Sequence, residues 1–521
     1  MRIGLLIPAC VWALGPRPAA AAPGVVADQA LVRFQSPLSL AEAGTRLDAP
    51  GWHVERLLSP RLGIALVRLD GLPLAEGLAA LREHPALRWA QADHFVEERL
   101  LPDDSAFAQQ WALQQASDAD IDAPEAWDLA TGGTDPLGRR IVVAVVDGGM
   151  DLAHPDLAPN VWTNPGESQN GLDDDGNGYV DDLHGWNAYS GSGSLVFNGH
   201  GTHVSGIVGA RGNNLNMVCG VNWDVELMTV CGSSTTTSVA VAAYNYVLEQ
   251  KSRWLESAGL QGANVVAANS SFGVNYANCA AGEYPAWNDM YDALGAVGVL
   301  SVAATMNINA NVDLQGDVPT SCPSDFLITC TNTTNQDLRN PSSAYGALSI
   351  DLGAPGTQVL STYLNSATTY LSGTSMSAPH VSGAVALLHA VASDSLAHVL
   401  RDDPPAGALA LKELLLEAVD PLPTLAGLTV TGGRLNLGRA AAVAAAWPPP
   451  PLIRLTIVHQ SDQRLLFSWD ELPAALAYQL EQWDAEQAAW LRLVTVTEPS
   501  WLSPPHLPQS AGLYRVRAEL P

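Results

Sequence analysis

Positive charge is scarce in this sequence. Among 521 residues, 25 lysines and arginines stand against 53 aspartates and glutamates, a formal net charge of -28. Such a balance argues against nucleic acid or an anionic membrane surface as a partner. Charged residues make up only 15% and hydrophobic ones 47%, which excludes a disordered chain and indicates substantial cores. Long apolar runs are missing too, so no segment beyond the N-terminus is long enough to span a bilayer. Cysteine is sparse, at six residues. One of them, Cys10, lies in a short positive and apolar start, Met1 to Leu14, which is followed by small residues from Ala19 to Ala22. That pattern reads as a secretory signal over residues 1–22 and implies an oxidising compartment. The remaining Cys219, Cys231, Cys279, Cys322 and Cys330 are odd in number, so at least one has no partner within the chain. Proximity alone pairs Cys322 with Cys330.

The length allows two or three domains. Residues 28–99 read as a small α+β unit, with strands at 30–34, 64–69 and from 84, and a helix over 72–84 carrying Leu74, Leu78 and Leu81 on one face. From residue 123 onward, apolar strands alternate with helices: strands near 141–147, 225–230, 263–269 and 298–304, helices over 238–257 and 284–296. Alternation of this kind indicates a mostly parallel sheet covered on both faces, whose functional groups gather at the carboxyl ends of its strands. Trp447-Pro-Pro-Pro-Pro451 marks a stiff linker over 447–452, and beyond it several short segments alternate apolar and polar residues as half-buried antiparallel strands do.

Three stretches carry chemistry. In Leu371-Ser-Gly-Thr-Ser-Met-Ser-Ala-Pro-His-Val-Ser-Gly383, Ser375 precedes a run that is small and apolar nearly all round, as in a buried helix. Pro379 then belongs in the first turn, where a missing N–H costs nothing. A serine there serves as a helix cap, or as a nucleophile whose oxyanion the helix N-terminus favours. Gly199-His-Gly-Thr-His-Val-Ser-Gly206 opens a second small-residue helix with His200 at its start, and the apolar run 141–147 ends on Asp147. The chain order Asp, His, Ser is that of subtilisin. A further segment, Asp173-Asp-Asp175-Gly-Asn177-Gly-Tyr179-Val-Asp181-Asp182, spaces oxygens at alternate positions around two glycines. It matches a hard-cation loop, here calcium held by Asp173, Asp175, Asn177, Tyr179 and Asp182, although no Glu closes it at the twelfth position. A merely solvated acidic loop is the other reading.

With Asp147 and His154-Pro-Asp-Leu157, His200-Gly-Thr-His203 and Gly373-Thr-Ser-Met-Ser-Ala-Pro-His380, the chain resembles the subtilisin-like serine proteases over roughly residues 102–446. The resemblance implies a doubly wound α/β fold and a secreted endopeptidase acting through Asp147, His200 and Ser375. It implies an oxyanion donor at Asn307 and backbone pairing with substrate at Ser271, Phe272 and Gly273. His203 and His380 read as structural, because one general base suffices and both lie one turn or more along their helices. The resemblance further implies an inhibitory propeptide over 23–101, with the enzyme's own propeptide and protein or peptide substrates as partners. Residues 453–521 resemble a fibronectin type III domain, a small β-sandwich. Two positions depart from the family pattern: Met306 stands where Gly precedes the oxyanion Asn, and Gly148 where Thr or Ser follows the acid. A relative without catalysis, acting as an extracellular binding protein, is the rival reading.

Overall fold

A computed structural model describes residues 25–47, 49–94, 101–233, 235–279, 282–447, 456–459, 465–468, 477–484, 489–498, 500–502 and 514–519. The expected signal segment and most of the linker lie outside these residues. The described residues up to 94 form one compact unit and those from 101 onward belong to another.

The first unit is a four-stranded antiparallel sheet with two helices, in the spatial order Trp52–Ser59, Ile64–Leu69, Val25–Phe34, Leu87–His94. Leu74–Arg82 is the helix read from its leucine spacing, and Leu78 and Leu81 face the core with Val32 and Phe34. A second helix, Leu40–Arg46, and the edge strand Trp52–Ser59 are additions to the expected pattern. The helix is opened by a capping box of Ser39 and Glu42. The edge strand has no fully buried residue, so it carries little apolar signal.

The centre of the second unit is a nine-stranded sheet. In chain order its strands are β1 (Val142–Asp147), β2 (Gly185–Asn187), β3 (Glu226–Cys231), β4 (Val265–Ser270), β5 (Leu300–Ala304), β6 (Leu327–Thr333), β7 (Leu352–Pro355), β8 (Asp420–Pro421) and β9 (Gly433–Arg434). Their spatial order is β8-β9-β7-β6-β5-β4-β1-β3-β2, parallel throughout except for the β8–β9 edge pair. Strand β1 shows why the sheet needs two covers. Val143 and Val145 enter one core, while Val142, Ala144 and Val146 enter the other. Successive side chains point to opposite faces, so a run apolar at every position must be buried on both. The first face is covered by α1 (Gly199–Gly209) and α4 (Thr374–Val391), the second by α2 (Thr237–Glu256) and α3 (Pro285–Ala296). This is the mostly parallel, subtilisin-like α/β fold. Strand order reverses at β1, between β3 and β4, so a crevice opens beside its carboxyl end.

Helix α4 is buried almost all round, as its composition requires. Pro379 departs from expectation: it lies past the first turn, inside the helix. A residue there would normally donate its N–H to the carbonyl four positions back, that of Ser375. That carbonyl instead accepts a hydrogen bond from the Ser271 hydroxyl at 3.0 Å. A side chain from β4's end thus supplies the donor that proline lacks.

The cysteine pairing also departs from expectation. The disulfide joins Cys279 to Cys322, with Cα atoms 4.7 Å apart, and Cys330 is a free buried thiol. Cys330 sits within β6 of the central sheet, while antiparallel pairing of Val274–Asn275 with Asp317–Val318 draws the two loop cysteines together.

Among the last residues, six short strands form two antiparallel three-stranded sheets. Leu465–Ser468 lies between Thr456–His459 and Ser500–Leu502, and Ala477–Asp484 between Ala489–Val496 and Tyr514–Glu519. Phe467, Tyr478 and Leu480 are buried.

Candidate active site

Asp147 ends β1, and only 3% of its surface is exposed. His200 is the second residue of α1, whose first turn is capped by the Asn198 side chain accepting from the Gly201 N–H at 3.0 Å. These two element ends meet: His200 Nδ1 lies 2.9 and 3.0 Å from the two carboxylate oxygens of Asp147. The Gly148 N–H donates to the same carboxylate at 2.6 Å, fixing it from behind. Burial opposes the protonated imidazole of His200. The hydrogen bond and charge of Asp147 outweigh that effect, and its pKa stands above the ordinary histidine value. Gly148 itself has a local cause. A Cβ there would come within 2.4 Å of the Asn198 amide, so the residue that caps α1 occupies the room of the usual Thr or Ser.

Ser375 is in the first turn of α4, after Gly373 at φ 155, a value that L residues avoid. Its hydroxyl donates to the Ser271 carbonyl at 3.3 Å, the reciprocal of the bond from Ser271 to its own carbonyl. Among the described residues it makes no hydrogen bond to His200. Ser375, Asn307, Ser271, Phe272 and Gly273 line one cleft of about 220 Å³. The Asn307 amide oxygen accepts from the Thr374 N–H at 2.9 Å and from its hydroxyl at 3.3 Å. With the oxygen so held, the NH₂ group is left as the donor.

Met306 is unstrained. It is absent from the non-glycine residues with positive φ, its N–H donates to Asp317 at 2.9 Å, and its side chain is buried with Ala310, Val312, Ala344 and Ile350. Met306→Gly is therefore expected to leave kcat where it is and to lower stability by about 2–5 kcal/mol through the cavity it opens, measured by urea unfolding.

Two further motif histidines, His203 and His380, are buried and uncharged at neutral pH. His203 donates from Nε2 to the carbonyls of Val359 and Thr369, and His380 lies buried near the Met376 carbonyl; burial drops each pKa to about 4.

In the acidic insert, the five expected ligand residues have different surroundings. Asp182 is buried, its pKa is pushed up to about 6 by that burial, and its oxygens accept from Asn164, Asn177, Tyr246 and Gln250. The Asn177 amide bonds within the loop, to Asp175, Asp182 and the Tyr179 N–H. The Tyr179 ring packs against Trp186 and Tyr246, with centroids 4.8 Å away in each case. Asp173 and Asp175 converge with Glu167, each offering one oxygen within 4.8 Å of the others. Glu167 is buried, and among the described residues its Oε2 has no hydrogen-bond partner. A buried, unpartnered carboxylate oxygen beside two more carboxylates fits a hard cation. Glu167 lies upstream of the regular aspartate spacing, so that spacing gives no sign of it.

The fold defines a class: doubly wound α/β proteins with a mostly parallel sheet, here with an acid–imidazole pair at the carboxyl end of β1. The model of the Subtilase family matches residues 138–426, and the chain belongs to that family. It is 32% identical over 370 residues to an extracellular protease of Xanthomonas campestris, covering 64% of this chain and 58% of that one. It is 28% identical over 324 residues to subtilisin-like protease 1 of Plasmodium falciparum, covering 58% and 43%. Against thermitase of Thermoactinomyces vulgaris it is 31% identical over 281 residues, covering 51% and 79%. The chain thus spans only about half the length of the first two relatives.

Proposed function

We propose that this protein is a secreted serine endopeptidase that cuts peptide bonds through an acyl-enzyme on Ser375. The observation that carries the reading is the Asp147–His200 pair, 2.9 Å apart at the strand end, within a fold that sets Ser375 at a buried helix N-terminus. Ser375 turns from the Ser271 carbonyl to His200, gives up its proton to Nε2 and attacks the peptide carbonyl. The resulting oxyanion is held by the Ser375 N–H and the Asn307 NH₂. His200 returns the proton to the leaving amine, then activates water to release the acyl group, while Asp147 stabilises the imidazolium. Labelling of the full secreted chain with a fluorophosphonate probe tests this. A tagged peptide containing Ser375 is expected, and no labelling of folded protein would refute it.

Asn307→Ala is expected to lower kcat by ~10²–10³ with KM nearly constant, the pattern of a donor used only in the transition state. Unchanged kcat in steady-state assays would remove Asn307 from the reading.

The separate N-terminal unit, with its own core, supports a propeptide that inhibits the enzyme and is removed on maturation. The two antiparallel sheets beyond residue 455 support a fibronectin type III-like binding or spacing domain. Secretion is supported by the extracellular protease among the relatives.

Calcium at the insert would be held by Glu167, Asp173 and Asp175, and its role there is stabilisation by binding only the folded chain. Chelation is expected to lower Tm by on the order of 5 °C. Glu167→Gln should lower Tm in calcium buffer and abolish the response to chelator. Identical calorimetric melting with and without chelator would mean that the loop is only solvated.

A further inference from the structure

The cleft that Ser375 and Asn307 line is mostly neutral. Of its lining side chains, Asp317 alone carries a charge at neutral pH. Only 2% of its surface is exposed. One oxygen, Oδ2, accepts three hydrogen bonds: from the Thr305 hydroxyl at 2.9 Å, the Met306 N–H at 2.9 Å and the Thr320 hydroxyl at 2.7 Å. The other oxygen takes none of them. Burial pushes the pKa of Asp317 up to about 6, so it remains largely ionised at neutral pH. Among the described residues no lysine, arginine or histidine forms an ion pair with it. A buried carboxylate without a counter-charge is costly, and a cation delivered by a ligand relieves that cost.

Local structure holds the carboxylate in place. Asp317 pairs with Asn275 across a short antiparallel ladder, just beyond Gly273. The same cleft therefore contains the nucleophile, the oxyanion donor and one unneutralised negative charge.

We propose that Asp317 is a specificity-determining residue, which makes this cleft a receptor for a cationic side chain and directs cleavage to bonds following lysine or arginine. The proposal rests on the endopeptidase reading above. A peptide whose carbonyl lies between Ser375 and Asn307 must lodge the side chain of that same residue in the adjoining space. An ammonium or guanidinium there meets Oδ1. Because Oδ2 already holds three donors, a guanidinium cannot engage both oxygens, and arginine has no bidentate advantage over lysine.

The test is kcat/KM on a peptide series differing only in the residue before the scissile bond: Lys, Arg, Leu or Phe. The wild-type enzyme is expected to favour Lys and Arg over Leu and Phe by about 10- to 100-fold, the range of a charge-assisted hydrogen bond. Asp317→Asn, which keeps shape and an acceptor for Thr305, Met306 and Thr320, should remove most of that preference, so that kcat/KM on Lys and Arg falls toward that on Leu. An equal loss on all four peptides would overturn the proposal, because Asp317 would then only position the turn that carries Asn307. A wild-type preference for Leu or Phe would overturn it as well. Should Asp317→Asn fail to fold, peptidyl argininal and leucinal inhibitors decide on the wild-type enzyme: tighter binding of the argininal supports the proposal, equal binding overturns it. Fluorophosphonate labelling separates the two readings. Labelled enzyme without cationic preference loses only the role of Asp317, whereas no labelling and no cleavage removes the endopeptidase reading too.

Discussion

Ser375→Ala is expected to lower kcat for peptide hydrolysis by on the order of 10⁶, the scale known for the nucleophile of subtilisin. The size follows from the division of labour. In the proposed mechanism the hydroxyl is the only atom that forms the covalent intermediate, and what remains without it is binding and oxyanion stabilisation. The fold should hardly notice. The Ser375 hydroxyl makes one weak bond, to the Ser271 carbonyl at 3.3 Å, while the bond from the Ser271 hydroxyl to the Ser375 carbonyl survives the substitution. Unchanged Tm together with lost turnover is therefore the expected pair of results. If maturation is self-catalysed, the variant should also accumulate with its N-terminal unit attached, read as the mass of the secreted chain. Normal processing in a host lacking other proteases would exclude self-cleavage, and near wild-type turnover would exclude Ser375 as nucleophile.

Asp147→Asn should cost about 10⁴ in kcat, and it should also move the pH profile. Both carboxylate oxygens of Asp147 reach His200 Nδ1 and favour the tautomer protonated there, which leaves Nε2 free as the proposed mechanism requires. An amide can present its NH₂ group instead and favour the wrong tautomer. The sign of the pH effect follows from the competing causes. Burial lowers the His200 pKa, Asp147 raises it, and the net shift is upward. The proposed mechanism uses His200 in its neutral form, so the acid limb of kcat/KM should lie above the ordinary histidine value of ~6.5. Without the carboxylate only burial remains, the pKa falls, and the acid limb should move to lower pH. An acid limb that stays in place in the variant would show that another group controls it.

The central strands and the family were legible because their signals are local. The run 142–147 is apolar at every position, and only burial on both faces of a parallel sheet satisfies that pattern. The stretches around Asp147, His200 and Ser375 are likewise short and continuous, since each residue sits at the end of an element defined by its own neighbours. The edge strand Trp52–Ser59 was not legible, because a strand with no buried side chain shows no apolar period.

What the sequence by itself determined, then, was the doubly wound sheet and the family, carried by the short stretches around Asp147, His200 and Ser375. What only the tertiary structure decided were relations between segments far apart in the chain. Cys279 pairs with Cys322 because two short strands draw their loops together. Pro379 is tolerated inside α4 because Ser271, more than 100 residues away, supplies the missing donor. Gly148 is small because Asn198 fills its space, and Glu167 joins Asp173 and Asp175 through a fold of the insert. Periodicity and motif spacing report what one segment needs from its surroundings. Which atom meets that need is settled by packing, where any segment that arrives with the right donor, charge or volume will serve.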